Sequence, residues 1–445
     1  MTKTNEDYSE VLEIAQQLIR YDTSNDGREQ IETPAAHYVM DLLTEVGLTP
    51  QIYAPKPGRE SVIVRIPGRF REVESDPQTG QRRGAVVIHG HLDVVPARAE
   101  DWSVDPFGGV VRDGMLWGRG AVDMKNMDAM ILAVVRDIAR TGWVPPRDLV
   151  IGFFADEEAG GKMGAQWLVS EHPELFAGAT HAISEVGGYN TYVNGTRVYL
   201  VQTGEKALTW YELRAEGTAG HGSQVNTDNA VAALAHAMSA IGNEQWPLVL
   251  RPAVRTLLEQ TAELAGLPFD PQDEESIGAI VAALGPAQAY VAATLRTGAN
   301  LTQLHGGYMA NVIPQHAVGT VDVRAIPGTE QAVDARIREL AAGCQVRTLH
   351  DSAGIEMPMS GSFMDAMVHA VQACDPGARV LPYLLSAGTD NKALARLGIA
   401  GYGFAPVQVP PDFDFPAMFH GVDERIPVDS LYFGCRVLRE FIEQV

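Results

Sequence analysis

Three short apolar segments in the first third of the chain constrain its fold most strongly. They cover Ser61–Ile66, Ala85–Ile88 and Leu149–Phe154, and a helical pattern at Asp128–Ile138 lies between the last two. Alternation of strand and helix patterns is typical of an α/β domain, in which helices cover the faces of a sheet. We therefore predict an α/β domain with helices on both faces of a mixed sheet.

The pattern changes after about residue 203 and predicts an insertion into this domain. The segments LTWYELRAEG and GTVDVRAIPG are typical of strands, and a helical pattern at Asn229–Ile241 lies between them. The α/β pattern returns after about Val346. We therefore predict a discontinuous first domain, residues 1–205 and 346–445, and an inserted α+β domain, residues 206–345.

The charge of the chain excludes several classes of partner. Asp and Glu number 56 against 34 Lys and Arg, which gives a formal net charge of −22 at pH 7. A surface this acidic repels phosphate backbones and anionic lipids, so we expect neither nucleic acid nor membrane as a partner. The three cysteines form no CxxC pair, which favours a reducing compartment and a metal held by His, Asp and Glu. The polar N-terminus shows no signal-peptide pattern, and we expect a cytoplasmic protein.

The motif HGHLDVV places His91 and Asp93 two residues apart at the end of a predicted strand. Side chains two apart on a strand leave the same face of the sheet. A His that binds metal through one ring nitrogen needs an acceptor on the other, and a carboxylate is suited to that position. Taken alone, the motif fits a His and an Asp in a polar turn better than it fits a metal site.

Acidic residues follow the apolar strand predicted at Leu149–Phe154, which runs directly into Asp156, Glu157 and Glu158. Active sites of open α/β sheets lie at the carboxyl ends of strands. Adjacent carboxylates repel one another unless a cation or a bound substrate offsets them. Glu157 and Glu158 cannot point the same way on an extended backbone, so we expect one to bind metal and the other to handle a proton. A solvated acidic loop is the alternative interpretation.

Three further residues are weak signals when each is taken alone. Asp123 follows the Gly-rich turn of GRGAVDMKN, where the cap of a helix is an equally good interpretation. Glu185 ends the apolar stretch of ISEVGGYN, and His420 stands in FHGVDERIP before the last predicted helix. Taken together, two His and several carboxylates near strand ends are typical of a site for a metal such as Zn²⁺.

These motifs, in this order, resemble those of the di-zinc aminoacylase/carboxypeptidase metallopeptidases, the family often called M20. The resemblance rests on HGHLD, GRGAVDMK, DEEAGG, the acid Glu185 and HGVDE, and it covers the chain from about residue 8 to its end. It implies a zinc-peptidase-like catalytic domain with an inserted lid and dimerisation domain. It also implies that two Zn²⁺ ions activate a water, which hydrolyses an amide bond in a small N-acyl amino acid or short peptide.

The resemblance implies a role for each residue of the metal site. Asp123 bridges the two metal ions, which Co²⁺ or Mn²⁺ can replace, and Glu157 is the general base. Asp93 orients His91, and the peptide bond after Asp123 is expected to be cis. The other metal ligands form two pairs, one for each ion: His91 with Glu185, and Glu158 with His420.

The resemblance also implies which residues contact the substrate. AEGTAGHGSQVN places a lid histidine, His221, over the active site, where it donates to the oxyanion. In MANVIP and VDVRAIPG, Asn311 is expected to bind the carbonyl side of the substrate and Arg324 the carboxylate of the product amino acid. A guanidinium suits that role because its planar fork meets a carboxylate bidentately. Gly388 and Thr389 of SAGTDN are expected to line the same carboxylate pocket.

The motifs leave several alternatives open. A dipeptidase or carboxypeptidase of the same family shares them, and a catalytically inactive homologue that binds zinc or peptide would share most of them. The segment near 246–299 is longer than the simplest lids. We expect it to add a helical cap, to alter contacts in a homodimer formed through the lid, or to replace a dimer partner.

Overall fold

The computed structural model describes residues 5–27, 32–70, 72–75 and 82–445. No helix in this described part combines the length and the apolar character that a membrane span requires. The strands, in chain order, are β1 (Gln51–Tyr53), β2 (Ser61–Ile66), β3 (Glu74–Ser75), β4 (Arg82–Arg83), β5 (Ala85–His91), β6 (Val110–Arg112), β7 (Met115–Trp117), β8 (Leu149–Phe154), β9 (Ala179–Ser184), β10 (Tyr189–Val193), β11 (Thr196–Glu205), β12 (Ala207–Glu216), β13 (Gly220–His221), β14 (Gly298–Gly306), β15 (Val312–Ile313), β16 (His316–Ala325), β17 (Gln345–Ser352), β18 (Ile355–Glu356), β19 (Arg379–Leu385), β20 (Ala400–Gly403) and β21 (Arg425–Pro427). The α-helices are α1 (Val11–Arg20), α2 (Thr33–Glu45), α3 (Lys125–Thr141), α4 (Ala165–Glu171), α5 (Ala230–Gly242), α6 (Pro252–Ala265), α7 (Glu274–Ala282), α8 (Gln288–Ala292), α9 (Glu330–Leu340), α10 (Ser362–Cys374), α11 (Asn391–Ala395) and α12 (Val428–Gln444).

The larger sheet has ten strands among the described residues and is mixed, as predicted. Eight of them follow the order β1-β2-β8-β5-β9-β20-β11-β10, and β18 and β19 also pair with β11. Strand β5 is parallel to both of its neighbours, β8 and β9, whereas β2 is antiparallel to β8. The carboxyl ends of β8, β5 and β9 therefore meet at one edge of the sheet.

Helices cover both faces of the larger sheet. On one face, Val86, Ile88 and Ile151 pack in a core that α1, α3, α10 and α12 complete. On the other face, Val87 and Val150 pack with side chains of α4 and α11. Strands buried on both faces need apolar side chains at consecutive positions, which is why their sequences are unbroken apolar runs. The predicted α/β architecture is confirmed.

The smaller sheet has four strands in the order β14-β16-β12-β17. Tyr211 of β12 faces a core that it shares with side chains of α5 and α9, and Leu208 and Trp210 alternate with it along the strand. Trp210 pairs with Asp322 across to β16, and Leu208 pairs with Arg324. Because side chains alternate along a strand, these four residues lie on the face of the sheet opposite the helices.

The end of the insertion lies beyond the predicted residue 345. Strand β17 belongs to the smaller sheet, and the chain returns to the larger sheet only at β18, which pairs with β11. The sequence of β17, QVRTLHDS, is mostly polar and exposed at alternate positions. It therefore lacks the apolar pattern from which the other strands were predicted.

The long segment near 246–299 forms α6, α7 and α8, which pack against the larger sheet. Leu257 of α6 and Ile280 of α7 are buried in the same core as the strands of that sheet. Lys206, at the crossing between the two sheets, donates from Nζ to the carbonyl oxygen of Ala293 at 3.0 Å. Of the three roles expected for this segment, the structure shows the helical cap, and this cap covers the larger domain.

Candidate metal centre and active site

Three neighbouring strands carry most of the predicted metal ligands. His91 ends β5, the acidic residues Asp156–Glu158 follow β8, and Glu185 follows β9. Because β5 lies between β8 and β9, these residues meet at one edge of the sheet. Asp123 joins them from the turn before α3, and its peptide bond to Met124 is cis, as the resemblance implied.

Asp123 lies between two histidines. Its Oδ1 is 3.2 Å from Nε2 of His91, and its Oδ2 is 3.2 Å from Nε2 of His420. Nε2 of His91 also lies 3.5 Å from Oε2 of Glu185, and Nε2 of His420 lies 3.2 Å from Oε2 of Glu158. The structure therefore brings all five predicted ligands together, in two groups that share Asp123.

These donor atoms fit a divalent cation. In each of two sets of three residues, the ligand atoms lie within 4.8 Å of one another. One set is His91, Glu157 and Glu185, and the other is His91, Asp123 and Glu158. Oε1 of Glu158 is buried and has no hydrogen-bond partner in the described part of the chain. Imidazole and carboxylate donors without a thiolate suit Zn²⁺, and the same set accepts Co²⁺ or Mn²⁺.

The crowded carboxyls have raised pKa values. Burial, with the charge of Glu185, raises the pKa of Glu157 well above its usual range. Burial, with the charge of Asp123, raises the pKa of Glu158. Burial also raises the pKa of Glu185 to about 8. Carboxylates this close repel one another, and a bound cation would offset the repulsion.

Both histidines lie in the negative field of these acids. Hydrogen bonds to Asp123 and Glu158 raise the pKa of His420 to about 10. Burial would lower the pKa of His91, but Glu185 and Asp123 together raise it well above its usual value. The site therefore favours positive charge at both ends of Asp123, which is a second indication that it suits cations.

Asp93 forms its hydrogen bond to His91 through its main chain. Nδ1 of His91 donates to the main-chain carbonyl of Asp93 at 2.9 Å, while the Asp93 carboxylate is 3.6 Å away, beyond hydrogen-bond range. That carboxylate accepts the backbone N–H groups of Glu157 and Glu158, both at 3.1 Å, and Nδ2 of Asn25 at 2.7 Å. These three donors draw the carboxylate away from the ring. Asp93 orients His91 through its main chain and the Glu157–Glu158 turn through its side chain.

A cavity of about 450 Å³ contains this site. Gly388 and Thr389 line it, as predicted, and so does Arg324 on the helix-free face of the smaller sheet. The metal-ligand side of the cavity is lined by Asp123, Glu157, Glu158, Glu185 and His420. A small molecule in this cavity is therefore in reach of the metal ligands and of Arg324 at once.

Protein groups already hold two of the three residues predicted to bind the substrate carboxylate, Arg324 and Thr389. The carboxylate of Asp322 accepts Nε and Nη2 of Arg324 at 2.7 and 3.0 Å, and it also accepts Nε1 of Trp210 at 3.2 Å. The N–H and hydroxyl of Thr389 donate to the buried carboxylate of Glu205 at 2.9 and 2.7 Å. These bonds fix both side chains. Nη1 of Arg324 donates no hydrogen bond to Asp322.

His221 and Asn311 are not among the residues that line this cavity in their own chain. Both side chains are exposed; His221 pairs with Val312 in the short β13–β15 pair, and Asn311 immediately precedes β15. Nδ1 of His221 hydrogen-bonds the hydroxyl of Ser223 at 2.8 Å, and the N–H of Gly222 donates to the carbonyl of Asn311 at 2.8 Å. The pair of strands groups the two residues with each other but does not fold them over the metal ligands.

Sequence reasoning missed two residues that shape the site. Glu424 stands in the quoted motif HGVDE, and its carboxylate accepts the backbone N–H of Asp123. Tyr290 of α8 lines the cavity, with its ring centroid 6.0 Å from that of Phe419. The motif could have pointed to Glu424. Tyr290 has no such signal, because its place depends on how the long inserted segment packs.

Comparisons with known proteins agree with this geometry. The model of peptidase family M20/M25/M40 matches residues 87–444. The chain is 28% identical over 379 residues to human N-fatty-acyl-amino acid synthase/hydrolase PM20D1, covering 80% of this chain and 73% of that protein. It is 27% identical over 374 residues to human aminoacylase-1, covering 81% of this chain and 79% of that protein.

Solved structures share the fold over the whole chain. An M20 family metallo-carboxypeptidase from Sulfolobus solfataricus superposes with a TM-score of 0.71 at 14% identity, covering 98% of this chain and 99% of that one. The dipeptidase Dug1p from Saccharomyces cerevisiae gives a TM-score of 0.68 at 15% identity, covering 100% and 99%. The family model covers Glu157 and all five candidate metal ligands. With that match and this ligand set, the chain is a metallohydrolase that belongs to peptidase family M20/M25/M40.

Proposed function

We propose that this enzyme hydrolyses the amide bond of a small N-acyl amino acid or short peptide. The observation that carries the proposal is one cavity that holds the ligand groups around Asp123, the acid Glu157 and the carboxylate-binding candidate Arg324. The names of the human relatives, an aminoacylase and an N-fatty-acyl-amino acid synthase/hydrolase, support the same substrate class.

The two groups around Asp123 are the proposed holders of two metal ions, with Zn²⁺ as the first candidate and Co²⁺ or Mn²⁺ as replacements. One ion would be held by His91 and Glu185, the other by Glu158 and His420, and Asp123 would contact both. A divalent cation bound there lowers the pKa of water toward neutrality and polarises a carbonyl oxygen.

Glu157 is the proposed general base and acid. Its side chain is only 15% exposed and lines the cavity, and Asp93 holds its main chain. In the proposed reaction Glu157 takes a proton from the attacking water, whose oxygen bonds to the amide carbon. The C–N bond then breaks, and Glu157 returns the proton to the departing amine, as a single acid–base group can do in both steps.

Arg324 is proposed to bind the carboxylate of the amino acid that is released. Asp322 accepts the Nε and Nη2 edge of the guanidinium, so Nη1 is presented in a fixed direction. Gly388 and Thr389 line the cavity beside it. A substrate fixed at its carboxylate and at its amide carbonyl presents the scissile bond to Glu157 in one orientation, which is the main contribution of positioning to catalysis.

We also propose a homodimer in which His221 and Asn311 act on the cavity of the partner chain. Both residues are exposed on the insertion, and neither is part of the cavity lining of its own chain. Strand β14 forms an edge of the smaller sheet and exposes Leu301 and Leu304, an apolar surface that a second copy could cover.

The three free cysteines support the proposed cytoplasmic location.

The test combines metal analysis with two variants. The wild type should bind about two metal ions per chain, and His420→Ala should lose one of them. Glu157→Gln should keep both ions and lose amide hydrolysis by at least about 10²–10⁴-fold, because the carboxamide cannot accept a proton. Glu171→Gln, an exposed acid at the end of α4, is the matched control. Near-wild-type turnover by Glu157→Gln would remove the proposed base.

A further inference from the structure

Besides His420, five basic side chains line the active-site cavity of this strongly acidic protein, together with five carboxyl groups. The chain carries a formal net charge of −22, so basic residues gathered in one cavity stand out against the rest of the surface. Two come from the smaller sheet and three from the larger domain: Arg324 and His350, and Lys162, Lys392 and Arg396. Such a cluster raises the local concentration of anions and orients them.

Two of these cations already face protein acids. Arg324 is paired with Asp322 through two hydrogen bonds. Lys392 lies beside Gly388 and donates from Nζ to the carbonyl of Lys206 at 2.6 Å. Burial lowers the pKa of Lys392, and the charge of Glu205 opposes that shift. Their charges are therefore balanced in part before any substrate enters.

Lys162 and Arg396 have no such acid. Among the salt bridges of the described residues, none includes either side chain. Arg396 donates from Nη2 to Oε1 of Gln166 at 3.1 Å, and this partner is neutral. Gln166 lines the cavity as well, and its N–H donates to the carbonyl of Gly161, the residue before Lys162, at 2.9 Å. Lys162, Gln166 and Arg396 therefore form a polar patch of the cavity lining.

His350 links Lys162 to the Arg324 side of the cavity. Its ring centroid lies 5.2 Å from that of Trp210, whose Nε1 donates to Asp322, the partner of Arg324. Together with burial, the charges of Lys162, Lys392 and Arg324 lower the pKa of His350, so all three act on the same imidazole. The neighbours of Tyr290 are different: its ring contacts Phe419, and the charges that act on it come from Asp123, Asp414 and Glu185. The cavity thus has a cationic side next to Arg324 and an aromatic side next to His420.

We propose that Lys162 and Arg396 form a subsite for a second carboxylate of the substrate, so that the amino acid released is acidic, aspartate or glutamate. This inference rests on the proposed function and narrows its substrate class. The α-carboxylate lies at Arg324, and the side-chain carboxylate meets Lys162 and Arg396 on the same side of the cavity. Hydrolysis of N-acetyl-L-glutamate by one water then yields acetate and L-glutamate, with the acyl group on the aromatic side.

A second carboxylate could also belong to the acyl group, as in an N-succinyl amino acid. The position of the patch beside Arg324 favours the amino-acid side chain instead. The experiment therefore compares kcat/KM within three pairs of substrates that differ by one carboxylate: N-acetyl-glutamate and N-acetyl-glutamine, N-acetyl-aspartate and N-acetyl-asparagine, and N-succinyl-leucine and N-acetyl-leucine.

We expect at least about a tenfold preference for the acidic member of the first two pairs, since charge-assisted hydrogen bonds are replaced by neutral ones in the other member. Lys162→Met and Arg396→Met should each reduce that ratio, and the double variant should abolish it. Added salt should reduce the ratio as well, because the patch is exposed. Lys56→Met, an exposed lysine in the loop after β1, is the matched control and should leave the ratio unchanged.

Equal kcat/KM for the glutamate and glutamine substrates would overturn the inference while leaving the proposed hydrolase intact. A ratio that survives in the double variant would overturn it too. If only the succinyl pair responds to the variants, the second carboxylate lies on the acyl group and the assignment to the amino acid is wrong. Should no substrate be hydrolysed, calorimetric binding of free L-glutamate against L-glutamine still decides the point. Equal affinities in the wild type would then overturn the subsite.

Discussion

The carboxylate of Glu424 accepts a hydrogen bond from the backbone N–H of Asp123 at 3.1 Å. The same buried carboxylate also accepts the N–H of Val122 and Nη1 of Arg119, both at 2.6 Å. Four residues earlier, His420 contacts the side chain of Asp123. One short segment near the C-terminus therefore holds both the main chain and the side chain of the residue that joins the two ligand groups.

We expect Glu424→Gln to weaken metal binding. The new amide group would face N–H donors, and a buried donor left without a partner costs about 1–3 kcal/mol. The turn that carries Asp123 should shift, so metal content should fall and activity should drop at least about tenfold with it. Elemental analysis and thermal unfolding of the metal-loaded protein measure both effects. Glu171→Gln serves as the control, and an unchanged metal content in Glu424→Gln would show that Glu424 does not position the site.

Tyr290 should influence which acyl groups are accepted. Its ring forms a wall of the cavity beside Phe419. Tyr290→Ala would remove apolar contact worth about 0.8 kcal/mol for each buried methylene of a substrate chain. We expect kcat/KM for N-hexanoyl substrates to fall more than for N-acetyl substrates. Tyr290→Phe keeps the ring and should behave like the wild type in this series. If Tyr290→Ala reduced kcat/KM equally for N-acetyl and N-hexanoyl substrates, Tyr290 would not contact the acyl group.

His221 should act in the partner's active site if the proposed dimer forms. A chain with Glu157→Gln still supplies an intact His221, and a chain with His221→Ala still supplies an intact metal site. Mixing the two inactive variants under conditions of subunit exchange should therefore restore activity. A mixture that stays inactive, although heterodimers are demonstrated by mass spectrometry, would show that His221 does not act across the interface. Full activity of His221→Ala alone would exclude any role in catalysis.

His181 should make stability depend on pH. Burial, with the charge of Arg83, lowers its pKa from 6.5 to about 4, and its ring stacks on Phe363 with centroids 4.3 Å apart. Between about pH 4 and 6.5 the unfolded chain therefore binds more protons at this residue than the folded chain does. The stability that neutral His181 contributes is complete above pH 6.5 and is lost as pH falls through that window. The full shift corresponds to about 3 kcal/mol.

The check is urea unfolding of the wild type and His181→Phe at pH 7.5 and pH 5. The phenyl ring preserves the stack but does not titrate. Between the two pH values, the free energy of unfolding of the variant should fall less than that of the wild type, by about 1–2 kcal/mol. Equal losses in both proteins would mean that His181 is not the titrating group.

The sequence by itself determined the central strands of the larger sheet and the candidate metal ligands that lie around Asp123. The predicted strands Ser61–Ile66 and Leu149–Phe154 have the same bounds in the structure. These predictions succeeded because the information is local: an unbroken apolar run specifies a strand buried on both faces, and the polar residues that follow it must lie at the edge of the sheet. The residues around Asp123 could be found in the same way, since each follows such a strand or stands in a recognisable motif.

The tertiary structure alone decided the surroundings of the ligands. The carboxylate of Asp93 accepts the N–H groups of the turn after β8, so only the main chain of Asp93 hydrogen-bonds the ring of His91. The polar strand β17 joins the smaller sheet, and α8 brings Tyr290 beside Phe419, more than a hundred positions away in sequence. No local pattern encodes such contacts, because each depends on how distant segments pack. Lys162 and Arg396 are also far apart in the sequence, and only the packing of distant segments brings both to one cavity.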